Sequence, residues 1–470
     1  MNIALVWPKG FMTNAVIPLS LGYLKSNINK KHTVKIVDFS LDNISSNSPC
    51  LETMIKDFNP RIVGISCWSI TYKEAISILE KVKLINKNIL TAIGGVDATL
   101  RLNTIIKNKN IDFVFRGEAD LSFPEFVEEV QKEKPDLSNI SGLTYRSGNG
   151  GCINNEIVYE KGLDKIKIPD YDAIRLDDYI KRGYKYNTED IRNAPIWVTR
   201  GCPYRCNFCS APKQNGVRLR SHSIEYMVKW VKFLYYEKSI RTLNIIDDNF
   251  TLELNYAKEF CKAVIKLNLK DLHFATPNGI RIQRTDKELF YLMKQAGWQS
   301  ITIAPESGSI KTLKRMKKEI DLKIVPDKIQ EIKKTGLKVI GFFMVGYPGE
   351  TEADLKVTAK FIRKCKFDFF FLFNFQPLPG TPIYDELVKS GEIPSDFLPG
   401  EYAYADLLCI PKELKNFNFS LFRLKEYLYL AFTNPPSIRH VLTHYDLKFI
   451  IERIGTILKD VFLRKIKRVS

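Results

Sequence analysis

Along the first 135 residues, apolar and polar positions alternate in blocks rather than singly. Five short runs, at 3–7, 34–39, 62–67, 89–95 and 111–117, are rich in Val, Ile and Phe. Near-continuous apolar runs of this length mark strands buried on both faces, the condition of a parallel sheet. The intervals between them suit crossover helices, so five βα units predict a doubly wound α/β domain of flavodoxin or Rossmann type over 1–135. Residues 136–190 break the rhythm and read as a linker. Ser147-Gly148-Asn149-Gly150-Gly151 is a turn signal inside a hairpin, and Ile168-Pro169-Asp170-Tyr171-Asp172 reads as extended chain.

A second alternating series begins near 195. Its strand candidates are 196–200, 242–247, 272–277, 301–306, 339–346 and 367–376. Helical patterns separate them; in 223–238, Ile224, Met227, Val228, Val231, Leu234 and Tyr235 recur at helical spacing. Six βα units in tandem predict a partial (β/α)6 barrel over 191–390, with its chemistry at the C-terminal ends of the strands. Residues 391–470 read as a helical, basic region. Its last stretch, 449–469, is amphipathic and closes on Arg464-Lys465-Ile466-Lys467-Arg468, a pattern of a solvated terminal helix that would also suit peripheral contact with an anionic membrane.

Composition narrows the classes. The chain has 470 residues, 45% hydrophobic and 26% charged, as in ordinary globular proteins. No apolar run reaches the ~18 residues that span a bilayer. The opening Met1-Asn2-Ile3-Ala4-Leu5-Val6-Trp7-Pro8 carries neither a basic n-region nor a cleavage site, which sets the expectation of a cytoplasmic protein. The net charge of +18 is spread through a Lys-, Asn- and Ile-rich chain with no Arg/Lys stripe interleaved with aromatics, so nucleic acid is not the expected partner. His32 is read as a surface residue before the second strand, and Trp7 and Trp68 as core at strand ends.

Chemistry concentrates in Thr199-Arg200-Gly201-Cys202-Pro203-Tyr204-Arg205-Cys206-Asn207-Phe208-Cys209-Ser210. Nine cysteines, an odd number and mostly scattered, argue against a disulfide framework. Three of them spaced Cys-x3-Cys-x2-Cys can ligate three irons of one cubane. A [4Fe–4S] cluster takes four ligands, so one iron keeps an open position for a substrate. Zinc is the alternative reading, but its fourth ligand would have to be His222, thirteen residues beyond Cys209, without a partner cysteine.

This spacing, the aromatic Phe208 before the last cysteine, and the place after a first barrel strand resemble the radical S-adenosylmethionine (SAM) superfamily. Ile245-Ile246-Asp247-Asp248-Asn249-Phe250, Ala304-Pro305-Glu306-Ser307-Gly308, the stretch from Gly341 to Glu350 and Gln376-Pro377-Leu378-Pro379-Gly380-Thr381-Pro382 resemble the later strand ends of the same barrel. The resemblance implies that Cys202, Cys206 and Cys209 hold the cluster and that its open iron chelates SAM. One electron would break the S–C5′ bond, and a 5′-deoxyadenosyl radical would take a hydrogen from an unactivated carbon. It places Phe208 near the adenine, Asp247, Asp248, Glu306 and Ser307 about the amino group and ribose, and Gly341 and Gly346 where backbone comes close. An electron donor such as ferredoxin or flavodoxin is also implied. No catalytic side chain beyond the cofactors is assigned. Asp247 and Asp248 could instead cap the next helix.

Over 1–135, the Gly94-Gly95-Val96-Asp97 and Arg116-Gly117-Glu118-Ala119-Asp120 loops resemble the cobalamin-binding subfamily, implying that Gly94, Gly95, Gly117 and Glu118 cradle a corrin. No Asp-x-His-x-x-Gly motif precedes residue 195, so the corrin would be held without a lower histidine. The expected function is a cobalamin-dependent radical SAM methyltransferase acting on a small-molecule or lipid-like substrate. The alternatives are a cyclase or oxidoreductase of the same architecture and a non-catalytic cobalamin or Fe–S sensor. A methylthiotransferase is disfavoured because Cys50, Cys67 and Cys152 do not form a second cluster motif.

Overall fold

The computed structural model describes residues 1–10, 16–148, 151–184, 192–399 and 408–435. The chain forms two compact units. The first comprises Met1–Tyr184, Trp197–Lys238 and Pro377–Ala403; the second comprises Lys185–Ile196, Ser239–Gln376 and Tyr404–Ser470.

The first unit is built on β1 (Asn2–Trp7), β2 (Thr33–Asp38), β3 (Ile62–Ser66), β4 (Leu90–Gly94), β5 (Phe113–Phe115), β6 (Leu143–Arg146) and β7 (Cys152–Asn154), in spatial order 2-1-3-4-5-6-7. The first five are parallel, the flavodoxin-like order that the spacing of apolar runs predicts. Side chains of β1 alternate between two cores. Ala4 and Val6 pack with Leu51, Met54, Ile78 and Leu79 from the helices Pro49–Phe58 and Tyr72–Ile85. Ile3, Leu5 and Trp7 pack with Leu21, Phe123, Phe126 and Val127 from Leu19–Asn27 and Ser122–Glu129. Burial on both faces is why these strands read as unbroken apolar runs. The hairpin predicted near 147–151 is β6–β7, and it extends the sheet antiparallel from β5.

Among the described residues, the second unit carries six parallel strands: β8 (Asn193–Ile196), β9 (Thr242–Ile245), β10 (His273–Ala275), β11 (Ser300–Glu306), β12 (Lys338–Val345) and β13 (Phe369–Asn374). They stand in chain order. Ladders join β8–β9–β10 and β11–β12–β13, and single parallel bridges Phe274↔Trp298 and Ile280↔Ile303 link the two halves. This is the expected partial barrel, with one correction. Its first strand is Asn193–Ile196, buried throughout, and not 196–200. Thr199–Arg200 instead pairs antiparallel with Arg220–Ser221 in the first unit. Alternation of apolar residues could not separate the two because both pieces are buried. Among the described residues no helix is long and apolar enough to cross a membrane. The basic stretch 449–469 lies outside the described residues.

Candidate cluster loop and strand-end sites

Residues 201–210 run without regular structure between the Thr199–Arg200 strand and the short helix Ala211–Asn215. Gly201 opens the loop at φ 97°, and a Cβ there would lie 2.2 Å from the Arg218 carbonyl oxygen, so only glycine fits. The Cys202 N–H donates to the Gly216 carbonyl at 3.0 Å, and the Cys209 N–H to the Cys206 carbonyl at 3.1 Å. Asn207 is buried, and its carbonyl accepts from the Ile383 N–H at 3.1 Å. The loop is therefore anchored at both ends and its middle, while Cys202, Cys206, Phe208 and Cys209 all stay half-buried.

Five of the other six cysteines differ in exposure; Cys409 is half-buried too but remote in sequence from the loop. Cys67, Cys261 and Cys365 are buried, and burial pushes the Cys261 and Cys365 thiols up to about 12 and Cys67 up as well. Thiolate is the metal-binding form, so these three stay thiols. Cys50 and Cys152 are exposed and remote in sequence. Three accessible sulfurs on one anchored loop are the donor set that a cubane with one open iron requires. Among the described residues no three His, Cys, Asp or Glu side chains converge on a single metal point; closing the thiols around a centre comes with the metal itself. His222, the nearest histidine, is buried, and its Nδ1 is held by Asp164 at 3.0 Å. That engagement weakens the zinc alternative.

Charged residues on either side of this loop are buried in ion pairs. Arg200 is 1% exposed; it donates to both oxygens of Asp120 at 2.7 and 3.3 Å and lies 3.5 Å from Glu118. Its guanidinium also faces the rings of Trp197 and Tyr23. Arg220 donates to both oxygens of Glu118 at 2.8 and 2.7 Å and to the Asn215 carbonyl. The Glu118 carboxylate, expected to meet a corrin, is thus taken up by two arginines. The pairing depends on two segments about a hundred residues apart, which no local pattern reveals.

The remaining residues assigned to a corrin lie on the loops after β4 and β5. Gly95 sits at φ 94°, with Cys67 backbone atoms closing on its would-be Cβ, and Gly117 at φ 71° against Ile157. Gly94 is less crowded, with only ordinary contacts to Phe115. Both loops thus offer bare backbone at the C-terminal edge of the sheet, which suits a large flat ligand. Trp7 is buried and meets Trp68 edge-on at 5.6 Å, so the pair serves the core. His32 corrects the expectation: it is buried, with Nε2 3.1 Å from Glu128 Oε1, and is committed there.

In the second unit the polar residues assigned to SAM lie at strand C-termini. Asp247 is buried and Asp248 half-buried, after β9. The next helix starts only at Leu254, so neither aspartate caps it. Nearby, Asn249 Oδ1, Thr251 Oγ1 and, after β10, Thr276 Oγ1 are buried without a hydrogen-bond partner among the described residues. Buried polar atoms are normally satisfied, so three orphans at adjacent strand ends fit a polar ligand. Glu306 ends β11 at φ 67° beyond a register shift, and pairs with Lys318 at 3.0 Å. A non-glycine residue in that conformation stores strain of the kind found at functional sites. Ser307 and Gly341 also meet neighbouring elements. Ser307 Oγ lies 3.0 Å from Thr358 Oγ1 on the helix Glu352–Cys365, and a Cβ at Gly341 would strike the Phe343 and Phe367 rings. Gly346 turns at φ 79° after β12, and its N–H donates to the buried Glu350 Oε2 at 2.8 Å. Asn249 and Glu350 lie in the segments that resemble the barrel strand ends but are not singled out there, and Thr251 and Thr276 carry no signal, because the burial of each depends on the folded surroundings.

Residues 196–362 match the Radical SAM superfamily, and residues 13–127 match the B12 binding domain family. An uncharacterized methyltransferase of Pyrococcus horikoshii is 30% identical over 376 residues, 79% of each chain. This chain belongs to the cobalamin-binding radical SAM enzymes. The radical SAM enzyme is also similar to the cytidylyl-2-hydroxyethylphosphonate methyltransferase of Streptomyces wedmorensis, with 27% identity over 80% of this chain and 78% of that one. Its fold matches that of the radical S-adenosylmethionine methyltransferase TsrM from Kitasatospora setae, with a TM-score of 0.72, 14% identity, and coverage of 91% of this chain and 88% of the other. As a family member the enzyme uses a [4Fe–4S] cluster and SAM, and its N-terminal sheet is a cobalamin-binding domain.

Glu350 gives this radical SAM enzyme a pH signature. Burial pushes its carboxyl up to about 8, against the lowering effect of the Gly346 and Tyr347 N–H groups. A folded-state value above the unfolded one means stability is fully present below the unfolded value, near ~4.3. It is lost as pH rises through 8, with a slope of up to about 1.4 kcal/mol per pH unit. Glu350→Gln keeps an acceptor for the turn and removes the titration. Denaturant midpoints at pH 5.5 and 7.5 are expected to fall for the wild type and stay level for the variant; parallel falls would show that Glu350 is not the group responsible.

Proposed function

We propose that this enzyme transfers a methyl group to an unactivated carbon of a small-molecule substrate. The observation that carries the reading is the joining, within one compact unit, of the three-cysteine loop and the glycine loops of the cobalamin-binding sheet. When bound, the cluster supplies the electron that cleaves SAM, and cobalamin supplies the methyl group. Cys202, Cys206 and Cys209 leave one iron free of protein ligands. Phe208 offers an aromatic face beside the last of them. Asp247, Asn249, Thr251 and Thr276 provide acceptors and hydroxyls at the ends of β9 and β10, and Glu306 with Lys318 provides a charge pair at the end of β11. The backbone at Gly94, Gly95 and Gly117 receives the corrin. A one-electron donor of the ferredoxin or flavodoxin class completes the system, and an apolar, lipid-like substrate is compatible with it.

The test is anaerobic reconstitution with iron, sulfide and hydroxocobalamin, followed by SAM and a reductant. Bound corrinoid, seen by absorption, together with 5′-deoxyadenosine and S-adenosylhomocysteine, is the expected outcome. 5′-Deoxyadenosine without bound corrinoid would replace methyl transfer by ring closure or oxidation on the same barrel.

A further inference from the structure

We propose that Glu118, Asp120, Arg200, Arg220, Gln214 and Thr99 form a positioning lattice that fixes the cluster loop relative to the corrin-binding loops. The proposal rests on the cofactor placement just given. Two independent sets of contacts build the lattice. The first is ionic: Arg200, immediately before Gly201, pairs with Asp120, and Arg220, just beyond the loop's helix, pairs with Glu118. The second is neutral and runs from loop to loop. Thr99 Oγ1 donates to the Gly95 carbonyl at 3.2 Å and accepts from the Gly117 N–H at 2.9 Å. The Gly117 carbonyl then accepts from Gln214 Nε2 at 2.8 Å, on the helix that ends the cysteine loop.

Simple adhesion does not call for this arrangement. Two arginines and two carboxylates, with side chains 1–11% exposed, cost desolvation that apolar packing of the same volume would avoid. What the charges add is direction, since a paired guanidinium and carboxylate hold one geometry where apolar contacts would slide. Two cofactors that act on one substrate carbon, one by generating its radical and the other by supplying its methyl group, need their separation held to a fraction of an ångström. The lattice links the loops that set that separation, and none of its six residues needs to touch either cofactor.

The test uses holoenzyme loaded with cluster and cobalamin, reduced to give paramagnetic cluster and cob(II)alamin together. Their magnetic interaction, read as the microwave power saturation of the cob(II)alamin EPR signal, reports their spacing. Glu118→Gln and Gln214→Ala are expected to retain iron, sulfide and corrinoid at wild-type stoichiometry yet shift the half-saturation power and broaden the coupled signal. Should Glu118→Gln fail to fold, Gln214→Ala decides alone, because it removes one neutral hydrogen bond. Saturation curves that superpose on the wild type, with both cofactors bound, overturn the lattice while leaving the enzyme assignment standing. Wild-type protein that takes up no hydroxocobalamin overturns the function reading, and the spacing role falls with it.

Discussion

Replacing Cys206 by alanine is expected to strip the iron and end SAM cleavage. The residue is the middle of three half-buried cysteines on a loop pinned at Gly201, Asn207 and Gly216. With two thiolates left, two irons of a cubane would face solvent, and a cluster held that way is lost. Losing a group that merely supports a metal ligand costs about 10–100-fold, so removing a ligand should lower 5′-deoxyadenosine formation by more than about 100-fold. The control is Cys261→Ala. Cys261 is buried in the helix Leu254–Leu267 with its thiol held protonated, so its loss should leave iron and turnover in place. Iron and acid-labile sulfide per chain, with 5′-deoxyadenosine by chromatography, check both variants. Wild-type turnover in Cys206→Ala would sink the cluster assignment.

Arg200→Ala should be the most damaging single change to stability away from the sulfurs. It leaves Asp120 without its arginine, while Glu118 keeps Arg220, in a place where the Arg200 side chain is 1% exposed. Breaking a buried pair by removing one partner costs about 3–5 kcal/mol, because the remaining charge has neither water nor counter-ion. Denaturant midpoints with an unchanged slope would measure it. The contrast is Lys56→Ala. Its pair with Glu52 is solvent-exposed, and such pairs contribute little. Equal midpoints for Arg200→Ala and the wild type would show that the buried lattice holds nothing that packing does not already hold.

The Arg200 pair also marks the limit of what could be read directly from the chain. A parallel sheet buried on both faces forces unbroken runs of Val, Ile and Phe, so β1 to β5 and most of the barrel strands could be located from sequence. The cysteine spacing was equally legible, because ligands to one cubane must come from one short loop. Conformations that only glycine adopts freely, at Gly95, Gly117 and Gly201, left their mark for the same local reason. Partners distant in sequence leave no such trace. That Arg220 holds both oxygens of Glu118, and that the Ser307 hydroxyl lies against Thr358, could not be read from either segment alone. His32 looked like a surface residue until Glu128 closed on it. The first barrel strand was misplaced by three residues, since 193–196 and 199–200 are both buried and only pairing tells them apart. Periodicity and ligand spacing act within about ten residues and are written in the chain, whereas charge pairing and the orphaned hydroxyls at the strand ends depend on which segments meet, which tertiary packing alone decides.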